Sequence, residues 1–177
     1  MSASEYVSGP EHRKENMSLK LSAAFFGLCM PFLMNGQQPR DMTGEWTLDV
    51  EGSSWGNAHR PLGVAMSIDH REPMFKYSGS ILYTNEDTRQ FAFDGRIDGR
   101  DYVMERSFGA GRIVIRRLSA SSIRSVFRTD DGQYTETAVT TISRDGMRLT
   151  RRIHVTGPAG DTHWTECYVR HSAPAVH

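Results

Sequence analysis

The chain of 177 residues has no excess of charge of either sign and almost no lysine. Arginine and lysine together number 21, as do aspartate and glutamate, so no net field directs the protein to nucleic acid or an anionic membrane. The lysines are Lys14, Lys20 and Lys76, and the arginines that supply the remaining positive charge are dispersed along the chain. Dispersed arginines do not indicate a phosphate-binding surface, and no nucleic-acid partner is expected.

Cysteines and long apolar runs are also scarce. The two cysteines are Cys29 and Cys167, and removal of an N-terminal leader would leave Cys167 alone, so no disulfide framework is expected. The apolar segment from Leu21 to Met34 is too short to span a bilayer comfortably. With 38% hydrophobic and 24% charged residues, the composition is that of one folded domain and excludes a disordered or membrane-embedded chain.

That apolar segment has the length and setting of a secretory signal peptide. Lys20 provides the positive charge that precedes it, and Gly36 offers a small residue for cleavage. Residues 1–36 are therefore interpreted as a leader, with Met17 as the true start, and 37–41 as a short linker. The protein is expected to be exported, to the periplasm or out of the cell. The alternative is an N-terminal helix packed on the domain.

Attachment to a membrane is not favoured. Leu28 precedes Cys29 at the position where a lipoprotein signal requires a small residue. A lipid anchor at Cys29 is therefore not expected. A stable membrane span is not expected either, because no apolar segment is long enough to cross a bilayer.

Beyond residue 40 the chain lacks the apolar periodicity of a helix and contains short runs typical of β-strands. The dipeptides Asp94-Gly95, Asp98-Gly99, Asp131-Gly132 and Asp145-Gly146 separate several of these runs and can supply the positive φ angles of tight hairpin turns. Strands at this spacing predict an all-β fold. We expect a single antiparallel up-and-down meander of about 8–10 strands, closed into a barrel.

Turns in the C-terminal half also fix the register of the strands. A two-residue turn at Asp145-Gly146 and a loop at 157–160 set Arg151 directly opposite Glu166. The face that holds this pair is the more apolar one and is expected to point into the barrel. It contains Ile123, Ser125, Phe127, Ala138, Thr140, Ile142, Leu149, Arg151, Ile153, Val155, Trp164, Glu166, Tyr168 and Arg170. The opposite face, rich in threonine and arginine, is expected to face water.

The motif Gly44-Glu45-Trp46 opens the first strand, and Arg170 ends the last one. A Gly-x-Trp motif, an all-β meander and a final arginine in this order resemble the lipocalin superfamily. Together with Asp98-Gly99-Arg100-Asp101-Tyr102, they look like small exported bacterial lipocalin-like proteins. The resemblance implies a lipocalin-like barrel over residues 42–171, with 172–177 as a tail.

In lipocalins the tryptophan of this motif closes one end of the barrel, and the final arginine packs across its ring. The resemblance therefore implies a structural closure by Gly44, Trp46 and Arg170, in which the guanidinium gains cation–π energy on the indole. The chain departs from lipocalins in lacking a recognisable middle motif and a disulfide. The stretch 51–61 is also too short for the helical lid of intracellular fatty-acid-binding proteins, so the ligand class is left open.

Arg151 and Glu166 are the strongest candidates for a ligand-binding site, flanked on the inward face by Trp164 and Tyr168. Two charges on an apolar face are costly unless they are paired and hydrogen-bonded. An inward arginine can hold a ligand carboxylate or phosphate while the glutamate orients it. The alternative is a structural ion pair near one end of the barrel.

Metal binding and catalysis find less support. The same register sets His154 opposite His163 on the outer face, but Cys167 lies about 13 Å further along the strand, which leaves a metal without a third ligand and His163 without a thiol partner. The chain has no nucleophile elbow, phosphate loop or dinucleotide fingerprint. No catalytic residue, metal or cofactor is therefore expected, and an enzyme is the less favoured class.

Three hypotheses of function follow from this. In the first, an exported barrel binds a small apolar or amphipathic ligand, with Arg151 and Glu166 at its polar end. In the second, the interior is filled and the protein acts through its surface as an envelope or interaction protein. In the third, it is a small lipocalin-fold enzyme of isomerase or cyclase type. An open interior favours the first and third over the second.

Overall fold

The computed structural model describes residues 37–84 and 86–171. The interpretations of residues 1–36, including the start at Met17 and the exclusion of a lipid at Cys29, lie outside the described residues, as does the tail at 172–177. Within the described ranges, no helix combines the length and apolarity needed to cross a membrane.

Ten antiparallel strands form the described part of the chain, each paired with the next along the sequence. Pairing of the first strand with the last closes them into a barrel, so the prediction of an all-β meander is confirmed. The strands are β1 (Gly44–Leu48), β2 (Gly63–Arg71), β3 (Met74–Leu82), β4 (Thr88–Arg96), β5 (Asp101–Arg106), β6 (Gly111–Ser119), β7 (Ser122–Thr129), β8 (Thr135–Ile142), β9 (Arg148–Gly157) and β10 (Gly160–Arg170).

Three of the four Asp-Gly dipeptides form turns as predicted. Gly99, Gly132 and Gly146 have φ angles of 76°, 70° and 74°, which glycine adopts without steric cost. The register that these turns predict is also observed, with Ile142 opposite Leu149 across β8 and β9. Because a slip of one residue would turn every side chain to the other face, this agreement fixes which residues point inward.

Asp94-Gly95 does not form a turn, and this part of the prediction is wrong. Both residues lie within β4, where Gly95 pairs with Phe75 of β3. A Cβ on Gly95 would lie 2.5 Å from the Phe93 ring and 3.0 Å from the Tyr102 ring. Glycine therefore serves here to admit two aromatic rings against the backbone.

One end of the barrel is closed by Trp46, whose side chain is buried together with Met42. The indole Nε1 donates a hydrogen bond to the Met42 carbonyl at 3.0 Å, and the Arg170 guanidinium carbon lies 4.7 Å from the ring centroid. Gly44 has a φ of 145°, and a Cβ there would lie 3.4 Å from the Arg170 side chain. Glycine is favoured at this position mainly by its φ angle, which other residues rarely adopt.

The buried imidazole of His70 holds the segment that precedes β1 at this closed end. Its Nδ1 lies 3.2 Å from the Met42 backbone N–H, and its Nε2 lies 2.9 Å from a carboxylate oxygen of Glu72. Because the N–H of Met42 donates to Nδ1, the proton of a neutral ring resides on Nε2 and can be donated to Glu72. The segment before β1 is therefore held at the closed end of the barrel by a hydrogen bond from its backbone to a buried side chain.

At the opposite end, the segment 49–62 connects β1 to β2 without forming a helix. After β1 the chain follows the edge of β10, where Ser54 and Thr165 exchange backbone hydrogen bonds of 2.8 and 2.7 Å. It then crosses toward β2, and Trp55 Nε1 lies 3.4 Å from the Val50 carbonyl.

Candidate functional site

The interior of the barrel is not filled, because side chains from β2 to β10 and from the segment 49–62 surround a cavity of about 560 Å³. The volume lies in the range of small-molecule sites in proteins. Apolar and aromatic side chains form most of the wall: Trp55, Pro61, Val64, Met66, Ile68, Phe75, Tyr77, Ile81, Tyr83, Phe91, Met104, Phe108, Ile115, Ile123, Tyr134, Leu149, Val155, Trp164 and Tyr168.

Tyr77 of β3 organises the aromatic part of this wall. Its ring lies 5.3 Å from that of Phe93, 5.7 Å from that of Phe75 and 6.1 Å from that of Phe91, measured between centroids. These separations are typical of interacting aromatic pairs. The hydroxyl contacts the Met104 sulfur at 3.6 Å, and burial raises the pKa of Tyr77 to about 12, so the phenol stays neutral at physiological pH.

Four charged side chains, Arg106, Glu136, Arg151 and Glu166, form a buried charge cluster on the cavity wall. Arg106 Nη2 donates to Glu136 at 3.1 Å, Arg151 donates to the other oxygen of Glu136, and Arg151 Nη1 donates to Glu166 at 3.3 Å. Two positive and two negative groups thus alternate, so the cluster is balanced in charge. Each strand contributes one member, on β5, β8, β9 and β10 in turn.

Glu166 is held in place by three donors. Besides Arg151, the Trp164 indole donates to one carboxylate oxygen at 2.8 Å and the Tyr168 hydroxyl donates to the other at 2.9 Å. Burial, followed by the negative charge of Glu166, raises the pKa of Tyr168 well above its usual value, so this phenol remains a donor. The carboxylate is therefore fixed on the cavity wall before any ligand is present.

The two central members of the cluster are held in their charged forms. Burial alone would raise the pKa of Glu136, but the attraction of Arg151 and then of Arg106 outweighs it, and the pKa lies below its ordinary value. Burial would lower the pKa of Arg151, yet Glu136 and Glu166 raise it above the usual arginine value. Glu136 and Arg151 therefore keep their charges at neutral pH.

Arg106 has a buried donor, its Nε, that the cluster does not use. Its guanidinium carbon lies 3.7 Å from the centroid of the Phe127 ring, which fixes the group by a cation–π contact. Within the described residues, its buried Nε has no hydrogen-bond partner. A buried donor without a partner is costly, and because this nitrogen has almost no accessible surface, the cost is borne by the fold and is not relieved by a molecule in the cavity.

The turn between β3 and β4, the start of β4 and the segment 49–62 place further polar groups at the end of the cavity away from Trp46. Arg89 lies 4.7 Å above the Tyr83 ring and pairs with Asp87 at 3.0 Å. The His59 ring lies 5.2 Å from the same tyrosine ring. These groups make the rim of the cavity more polar than its wall.

The structure brings the four predicted ligand-binding residues together. Arg151 pairs with Glu166 across β9 and β10, and Trp164 and Tyr168 both line the cavity beside that pair. Gly44, Trp46 and Arg170 lie at the closed end and are not among the residues that surround the cavity. His154 and His163 also face each other as predicted, on the outside of the same hairpin.

Two members of the cluster, Arg106 and Glu136, were not predicted. Alternation along β8 places Glu136 on the same face as Ala138, so the sequence contained a signal for it. The turn at Asp98-Gly99 likewise sets Arg106 opposite Phe91, which is the pairing observed. Both residues could therefore have been found by applying the same turn rule and the same alternation throughout the chain.

No protein-family model and no curated protein matches the sequence. Among solved structures, the chain is similar to the zebrafish ileal bile acid-binding protein in complex with cholic acid, with a TM-score of 0.50 and 14% sequence identity. The match covers 73% of this chain and 98% of the zebrafish chain. The similarity and the closed ten-stranded barrel confirm a lipocalin-type (calycin) fold.

Proposed function

We propose that the barrel binds one small amphipathic molecule, whose apolar body lies against the aromatic wall and whose polar group reaches the buried charge cluster. The observation that carries this proposal is the cavity of about 560 Å³, which combines an apolar wall with a few convergent polar groups. The zebrafish protein of the same fold was crystallised with cholic acid.

The charge balance of the cluster favours a neutral polar group on the ligand. Glu136 already forms an ion pair with both Arg106 and Arg151, and Glu166 accepts a further hydrogen bond from Arg151. A ligand carboxylate would add a third negative charge beside these two and would lose its hydration without gaining a free cation. A hydroxyl or carbonyl oxygen adds no charge, and it can hydrogen-bond with the hydroxyl groups of Ser125 and Thr140, which line the same cavity.

Filling the cavity is expected to abolish binding without removing any contact of the fold. Ser125 lines the cavity from β7, so Ser125→Phe places a ring in the space that a ligand would occupy. We expect the affinity for the neutral dye Nile red, measured by fluorescence titration, to fall at least about tenfold. Ser67→Phe makes the same change at an exposed position of β2 and serves as the control.

The same assay tests the polar group. Dodecanol and dodecanoate have the same chain and differ in charge, and dodecanol is expected to displace Nile red at the lower concentration. Stronger displacement by dodecanoate would contradict a neutral polar group, whereas equal Nile red binding by the Ser125→Phe and Ser67→Phe variants would contradict binding inside the barrel. Native mass spectrometry of protein purified from its own host would then give the mass of a retained ligand.

The second part of the proposal is export. The positive charge of Lys20, the apolar segment that follows it and Gly36 together support removal of residues 1–36 during secretion. We expect the mature protein from its own host to begin near residue 37, as determined by mass spectrometry of the intact chain. A mature N-terminus upstream of Met17 would show that the leader interpretation is wrong.

A further inference from the structure

Two histidine rings lie stacked on the outer face of the β9–β10 hairpin. His154 and His163 are directly opposite each other in the ladder, with ring centroids 4.2 Å apart and ring planes 9° from parallel. Both face away from the barrel interior, on the opposite side of the hairpin from Arg151 and Glu166. The pair therefore belongs neither to the cavity nor to the buried charge cluster.

Asp161 supplies a third potential ligand at the same place. A carboxylate oxygen of Asp161 lies 3.0 Å from His154 Nε2, and the ligand atoms of Asp161, His154 and His163 all lie within 4.8 Å of one another. The hydroxyl of Thr156 is 3.5 Å from the same imidazole nitrogen. Asp161 lies two positions before His163 along β10, so alternation places both side chains on one face.

From this geometry we infer that His154, Asp161 and His163 form a surface site for a divalent transition metal, with zinc as the ion best suited to it. Two imidazole nitrogens and one carboxylate oxygen are common zinc ligands, and three protein ligands leave a fourth position for water. The site goes beyond the proposed binding of a small molecule and does not depend on it.

The metal would require only side-chain rotation. In a tetrahedral zinc site with bonds of about 2.0–2.1 Å, two nitrogen ligands lie about 3.4 Å apart. The parallel rings must tilt so that both nitrogens point at one ion, while the backbone of the hairpin stays as it is. That backbone is fixed, because His163 on β10 and His154 on β9 lie within a continuous ladder in which Gly160 to Val169 of β10 each pair with a residue of β9.

The alternative is a metal-free arrangement, in which the hydrogen bond between His154 and Asp161 and the ring stack serve only as surface polar packing. Isothermal titration calorimetry of the full chain with zinc chloride distinguishes the two. Because loss of an outer-shell partner already weakens metal sites about 10–100-fold, we expect removal of a ligand in His154→Gln or His163→Gln to weaken zinc binding at least about tenfold. Asp161→Asn is expected to weaken it as well.

His59→Gln is the matched control, because His59 is not one of the three residues whose ligand atoms converge at this site, and its ring packs against Tyr83. It is expected to leave the zinc affinity unchanged. Chemical denaturation without metal should give the same unfolding free energy for His163→Gln and the original chain, and added zinc should stabilise only proteins that retain the site. Equal zinc isotherms for the original chain and His163→Gln, or no zinc uptake by the original chain, would overturn the proposal.

Discussion

Replacing Glu136 by glutamine is expected to lower the free energy of unfolding by about 3–5 kcal/mol, because the change removes the shared partner of two enclosed arginines. The Glu136 side chain is 14% exposed, and those of its partners Arg106 and Arg151 are 10% and 26% exposed. Glutamine keeps the shape of the side chain but not its charge. After the substitution, Glu166 is the only carboxylate left in the cluster, and it contacts Arg151 but not Arg106. Urea denaturation followed by circular dichroism measures the loss.

Glu105→Gln is the matched control for this prediction. Glu105 precedes Arg106 on β5 and is exposed on the outer face, so its change is expected to stay within about 0.5 kcal/mol. The double variant Glu136→Gln, Arg106→Met also removes the arginine that has lost its carboxylate partner. It is expected to recover part of the lost unfolding free energy, since apolar groups can replace a buried ion pair. A loss below about 1 kcal/mol in Glu136→Gln would mean that the cluster is hydrated well enough to tolerate an unpaired arginine.

The pH dependence of the unfolding free energy gives a second measure of how much the Glu136 carboxylate stabilises the fold. The folded-state pKa of Glu136 lies below the ordinary value of 4.5, so the unfolded chain takes up the proton at a higher pH than the folded chain does. The contribution of this group to stability is therefore complete above pH 4.5 and is lost as the pH falls through the folded-state pKa. The difference in unfolding free energy between the original chain and Glu136→Gln is expected to narrow over that acidic range.

Much of the fold follows from turns that glycine makes possible. Gly132 and Gly146 have the positive φ angles that their hairpins need, and each turn sets the pairing of every residue along its two strands. Gly95 shows where this reasoning fails. Asp94-Gly95 has the sequence of a turn but lies inside β4. There Gly95 leaves room for the rings of Phe93, two residues earlier on the same strand, and Tyr102 on the next strand. A dipeptide cannot reveal whether glycine is needed for its φ angle or for its lack of a side chain.

The site divides in a similar way. Alternation along each strand identifies the residues that point inward, so Arg151 and Glu166 could be paired from the sequence, and Glu136 could have been added to them. The openness of the interior could not be predicted, because it depends on side-chain orientation. Trp164 and Tyr168 both turn toward Glu166, and this arrangement accompanies the open cavity beside them. Asp161 beside His154 likewise depends on the conformation of a hairpin end.

The closed end of the barrel gives the other large expected effect. Trp46→Ala is expected to lower the free energy of unfolding by about 3–5 kcal/mol, because the indole is 1% exposed and its removal leaves a cavity that the rigid barrel end cannot fill. The Met42 carbonyl would lose its donor, and Arg170 would lose the ring on which it stacks. Urea denaturation again measures the change.

A comparison of Trp46 with Trp55, at the opposite end of the barrel, tests whether one end mainly stabilises the fold while the other mainly binds the ligand. Trp55→Ala makes the same truncation in the segment 49–62, where the indole is only partly buried and lines the cavity. It is expected to cost less stability than Trp46→Ala and to weaken Nile red binding more. The milder Trp46→Phe, which retains most of the buried ring, is expected to bind Nile red with unchanged affinity, since Trp46 does not contact the cavity. If Trp46→Phe lost the dye while remaining folded, the motif that closes the barrel would also shape its binding site, and the two ends could not be treated as independent.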